Sequence, residues 1–275
     1  MRANAWNWQV WCFGSAVVLL LLASTVWAAE GRTKIGTYDP ADQTVEMFAA
    51  IKKGDIAVKL IPKDSTQCKV LIENKTNKPL NVKLPEAFAG VPALAQIGAG
   101  GRSTRSNSGN NNNQNQSMGG GMGGMGGGGM GGMGGGGMGG GGGFFNVPPE
   151  KVGKLDVTTV CLEHGKGEPR AAIPYEIKPL ESCTSKPGVR ELCELLGSGQ
   201  VNQRAAQVAA WHLNNGMSWQ ELAAKQIRHA NGTSQPYFTA EEMQRGMKIV
   251  ATAVKLSEER QKQNPSTTES ASQNQ

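Results

Sequence analysis

Twenty-six consecutive residues, Met118 to Gly143, are nothing but glycine and methionine, and they hold 20 of the 38 glycines in this 275-residue chain. Glycine gives up more backbone freedom on ordering than any other residue. The Ser, Asn and Gln that precede the tract add no apolar surface to offset that loss, so 98–143 is expected to be a disordered loop. A Gly-rich coil of that length spans roughly 35 to 40 Å end to end, which suits either a linker between two units or an excursion from one. Re-entry is the expectation. A hairpin standing alone before the tract is marginally stable, and Leu155, Val157, Thr159 and Cys161 alternate after it as a completing strand should.

Ahead of the tract, Asp39-Pro40 reads as an N-cap with proline in the first turn. Val45, Phe48 and Ile51 follow at helical spacing and Gly54 ends the helix. Ile56 to Ile61 and Lys69 to Glu73 are rich in aliphatic and β-branched residues, and Asn74 to Pro79 then turns into Leu80, Val82 and Leu84, which predicts strand, turn, strand. Phe88 to Ile97 reads as an irregular packed segment. Beyond Tyr175 the period becomes helical: Val189, Leu192, Leu195 and Leu196 share a face, and Asn202 caps Gln203 to Leu213. Ser218-x-x-Glu221 and Thr239-x-x-Glu242 are capping boxes, the first for a helix reaching about His229, the second for a helix lining up Met243, Met247, Val250 and Val254. The expected fold is α+β: a small antiparallel β-sandwich-like unit interrupted by the Gly/Met loop, then a three- or four-helix bundle. Its segments are a leader 1–28, helix and strands 29–97, the loop 98–143, returning strands 144–180, a helical domain 181–262 and a polar tail 263–275.

The leader bears on compartment. Arg2 precedes an apolar run from Val10 to Leu22, short of the about 20 residues a spanning helix needs. Val26 and Ala28 then offer the small side chains a signal peptidase accepts, so cleavage is expected between Ala28 and Ala29. Export to the periplasm, cell envelope or medium follows, with the membrane involved only through the leader; the alternative is an uncleaved N-terminal anchor. Without the leader, 27 basic and 22 acidic residues leave a small positive excess. The basic residues are scattered rather than interleaved with aromatics, which argues against nucleic acid as a partner. Four cysteines remain, Cys68, Cys161, Cys183 and Cys193, and an oxidising compartment invites pairing in any of three connectivities.

HExxH, GxSxG and P-loop patterns are absent, and no cofactor is implied. Val160-Cys161-Leu162-Glu163-His164-Gly165-Lys166 brings a thiol, an acid, an imidazole and an amine within seven residues at the end of a predicted strand. Three alternatives to a simple binding protein arise. Cys161 with His212 or His229 would make a secreted Cys-dependent enzyme. The thioethers Met122, Met125, Met130 and Met133 are soft donors suited to Cu(I). The third rests on resemblance: Val160-Cys161-Leu162, Ala206-Gln207-Val208-Ala209-Ala210-Trp211 and Trp219-Gln220-Glu221-Leu222 resemble the three short motifs of bacterial surface thioester domains, although Ala206 stands where that family has threonine. The resemblance implies a Cys161–Gln207 crosslink that captures an amine. The layout of leader, strand pair, Gly/Met tract, Val160 to Gly165 and Ala205 to Leu213 also resembles an uncharacterised family of secreted bacterial proteins. The expected function is that of an exported, non-enzymatic envelope or extracellular interaction protein, its partner an unknown protein or envelope component.

Overall fold

A computed structural model describes residues 35–93, 115–124 and 143–263; the leader with Ala28 and Ala29, and Met125, Met130 and Met133, lie outside them. The described residues are α+β. The first elements are β1 (Gln43–Glu46), α1 (Met47–Lys53), β2 (Ile56–Pro62), β3 (Gln67–Asn74), β4 (Leu80–Lys83) and β5 (Phe88–Pro92). The Gly/Met tract then contributes β6 (Met118–Gly120), followed by β7 (Phe144–Val147), β8 (Val152–Cys161) and β9 (Tyr175–Pro179). The last are α2 (Val189–Gly197), α3 (Gln203–Asn215), α4 (Trp219–Ala224), a hairpin of β10 (Gln226–Arg228) and β11 (Ser234–Pro236), and α5 (Ala240–Gln263).

In place of the expected sandwich, six antiparallel strands close into a barrel in the order β2-β3-β8-β6-β5-β9, with Leu60 opposite Tyr175 at the seam. Closure leaves no sheet edge to protect. The ten-residue β8 makes it possible, because its first seven residues, Val152 to Thr158, pair β3 and its last three, Thr159 to Cys161, pair β6. The turn after Asn74 therefore does not join two strands of one hairpin. β4 instead pairs in parallel with β1 and antiparallel with β7 in a second, three-stranded sheet. That sheet takes Gln43 to Glu46 out of the predicted helix, which begins at Met47 with the Glu46 carboxylate accepting from the Phe48 and Ala49 N–H groups.

The segment 115–124 overturns the expectation of disorder for that part of the loop. Met118 and Met122 are completely buried, and they pack in the barrel core with Leu60, Phe88 and Tyr175. Hydrogen bonds stitch the segment in: Gln116 N–H to the Gly167 carbonyl, Leu162 N–H to that of Ser117, Met122 N–H to that of Pro85, and the Tyr175 hydroxyl to that of Gln116. Glycine is required here by close approach. A Cβ on Gly121 would stand 2.2 Å from the Glu86 carbonyl oxygen and 2.4 Å from that of Cys193, and one on Gly197 would stand 2.3 Å from the Gly121 carbonyl carbon. The C-terminal end of α2 and the barrel strand thus meet backbone to backbone.

The helices form a layer on the barrel as well as on one another. α3 packs against β8 and α5, and α2 against β6, β8, α3 and α5. Ala205, Ala206, Ala209 and Ala210 give α3 a flat, fully buried face, and Gly246 lets α5 cross it at Val208. The buried stripe of α5 is Met243, Gly246, Ile249, Ala253 and Ser257. It is rotated from the expected one, leaving Met247 41% exposed. α4 ends at Ala224 rather than near His229, since Lys225 is extended and its carbonyl accepts from the Tyr237 N–H, which starts the hairpin.

Candidate functional site

The C-terminal end of β8 and the buried face of α3 bring together two of the three residues singled out in the sequence. Cys161 and Gln207, 46 positions apart, are both buried, and the Gln207 carboxamide lies along the Cys161 backbone like a neighbouring strand. The Cys161 N–H donates to Gln207 Oε1 at 2.8 Å, and Gln207 Nε2 donates to the Cys161 carbonyl at 2.9 Å. Next to it, Gln203 Nε2 donates to the Thr159 carbonyl and Asn214 Nδ2 to that of Leu162. One face of α3 thereby satisfies the backbone of the last β8 residues where they leave the sheet, as buried peptide groups require.

The thiol points elsewhere: Cys161 Sγ lies 3.9 Å from the Ser65 carbonyl. Burial pushes its pKa far above that of a free cysteine, and the carboxylates of Glu168 and Asp64 push the same way. A thiol so held is a weak nucleophile at neutral pH, because the thiolate is the reactive form. Cys68 on β3 and Cys193 on α2 are also buried and pushed up to about 12 by desolvation, with Asp156 adding to the first and Glu194 foremost among the charges raising the second. Cys183 is exposed beside Ser182, and among the described residues Cys68, Cys161, Cys183 and Cys193 are not joined to one another.

His164, in the turn after β8, does not reach the thiol. Its Nε2 is 2.9 Å from Lys225 Nζ and its ring edge meets Trp211, centroids 4.8 Å apart. Lys225 Nζ also lies 5.2 Å from the Trp211 ring centroid and 5.1 Å from that of Tyr237, within the range of cation–π attraction. Burial and the Lys225 charge lower the His164 pKa, with Glu221 acting against them, and burial lowers that of Lys225 while Glu168 opposes it. Glu163 pairs with Lys166 and accepts from the Ser117 N–H, fastening this turn to the start of β6.

His212 stacks on Trp219 at 3.9 Å with Nδ1 bonded to the Met217 carbonyl, His229 sits in the exposed hairpin turn, and Gln220 is exposed on α4. The thiol–imidazole pair expected for a Cys enzyme is therefore not assembled. Among the described residues no three His, Cys, Asp or Glu side chains converge as a metal site. Lys225 and Tyr237 carry no sequence signal. Trp211, a core anchor 5% exposed whose indole N–H has no acceptor within the described protein, is what joins them to the Cys161 region. The chain matches no family model, no curated protein and no solved structure.

Proposed function

We propose that this chain is exported and acts as a non-enzymatic interaction protein of the cell envelope or extracellular space, with the leader 1–28 removed. The carrying observation is the apolar run Val10 to Leu22 followed by Val26 and Ala28. Support for binding rather than chemistry comes from how the Val160 to Lys166 groups are used. Gln207 holds the Cys161 backbone, the thiol is buried, and Glu163 and His164 each fasten a neighbouring segment. Cell fractionation with N-terminal sequencing tests export: Ala29 at the N-terminus of envelope or medium material is expected, and cytosolic protein still beginning with Met1 refutes it. Reversible formaldehyde crosslinking of the exported protein tests the second half, with adducts to an envelope or extracellular protein expected. Recovery of uncrosslinked monomer alone refutes an interaction role.

One observation favours a second reading, a thioester-type covalent binder, because the two residues that would react meet across 46 positions. In that chemistry Cys161 Sγ attacks Gln207 Cδ, the carboxamide C–N bond breaks, and the nitrogen leaves as ammonia with the thiol proton. Gln207 would first have to release the Cys161 backbone. Intact mass separates the two readings, since a mature chain lighter by one ammonia with no alkylatable Cys161 establishes the thioester, and full mass with a free thiol excludes it.

A further inference from the structure

His164 and Lys225 are both bases, yet their nitrogens lie 2.9 Å apart. A contact that short between two basic nitrogens accommodates one proton: the Lys225 ammonium donates, and His164 Nε2 must offer its lone pair. The other sides of the ammonium are taken by the ring faces of Trp211 and Tyr237. A proton added to the imidazole removes the acceptor and sets a second positive charge beside the first.

We propose that the His164–Lys225 contact is an acid-opened latch that holds the base of the β10–β11 hairpin over Trp211. The groups around it leave it poised rather than neutralised. On α4, Glu221 favours a charged His164 but is engaged as the capping-box acceptor of Ser218. In the turn after β8, Glu168 favours a charged Lys225, while Glu163 is paired with Lys166. On α3, Asn215 Oδ1 accepts from the His164 backbone N–H and Trp211 presents its ring, and Arg204, over the Tyr237 ring, is paired with Glu242 of α5. Neither nitrogen of the latch is in an ion pair. Because the Lys225 carbonyl accepts from the Tyr237 N–H at 2.8 Å, withdrawal of Lys225 loosens both ends of the hairpin and uncovers two aromatic faces.

The chain has three histidines, so an NMR titration of their imidazole Cε1–H signals, assigned with H164Q and H212Q, follows the latch directly. His164 is expected to titrate below the ordinary histidine value of about 6.5, and K225M to move that midpoint upward by removing the adjacent cation. In the parent, protection of the Tyr237 amide against hydrogen exchange, corrected for intrinsic pH dependence, is expected to fall through the His164 midpoint while β3 amides stay protected. In H164Q that step disappears. An unchanged midpoint in K225M overturns the proposal. Should K225M fail to fold, persistence of the Tyr237 step in H164Q overturns it equally.

Discussion

Gly121→Ala isolates the most unusual element of the fold, a barrel stave drawn from a glycine–methionine tract. The added Cβ would lie 2.2 Å from the Glu86 carbonyl oxygen and 2.4 Å from that of Cys193. Both are backbone atoms, so no rotamer change relieves the clash. Either α2 and the β4–β5 connection move apart or the stave leaves. The first response is overpacking, about 1–3 kcal/mol. The second returns Met118 and Met122 to water at about 1.5–3 kcal/mol each, which caps the loss at about 3–6 kcal/mol apart from ladder hydrogen bonds exchanged for water. Because the cheaper response prevails, a loss of about 1–3 kcal/mol is expected in urea unfolding. Met122→Ala should cost about 2–5 kcal/mol, by cavity formation rather than strain. Hydrogen exchange separates the two responses to G121A, since release of the stave exposes β5 and β8 amides while β2 and β3 stay protected. A G121A stability within about 0.5 kcal/mol of the parent would refute the packing argument.

Gln207→Ala leaves the buried N–H and carbonyl of Cys161 without partners, and a loss of about 2–4 kcal/mol in urea unfolding is expected; a neutral substitution would mean the carboxamide is not what holds α3 to β8. Under native conditions at pH 8, Cys183 should react with iodoacetamide much faster than Cys68, Cys161 and Cys193, all four reacting in denaturant, and equal native rates on peptide mapping would contradict the burial. Arg260→Ala removes the guanidinium from Glu191, 3% exposed, and from Glu194. Because Arg260 is itself partly solvated, the expected loss is about 1–3 kcal/mol, below that of a fully buried pair, and no measurable change in thermal unfolding would count against it. For pH, the folded-state pKa of His164 is depressed by burial and by Lys225, so the unfolded chain takes the proton first. Its stabilising contribution is complete above about 6.5 and is lost as the pH falls from there toward the folded value. Urea midpoints across that window should decline more gently in H164Q, and parallel declines would refute the assignment.

Local signals in the sequence reached as far as local physics reaches. The alternation of Leu155, Val157 and Thr159 appears as the buried face of β8, and Gly54 and Asn202 act as helix caps, as do Ser218 and Glu221 together. Each depends on groups within a few residues of one another, so the chain itself carries the information. Tertiary structure decided the rest. A three-residue Met-Gly-Gly strand has no propensity of its own; it orders because β5 and β8 supply the ladder and the α2 backbone comes close enough that only glycine fits. The α5 stripe shifted by one position because Gly246, the smallest residue, is what the crossing at Val208 demands. Cys161, Gln207 and His164 were visible as reactive residue types. What they touch was not, because a carboxamide laid along a strand terminus and an imidazole paired with Lys225 are long-range contacts set by how α3 and the hairpin dock on the barrel.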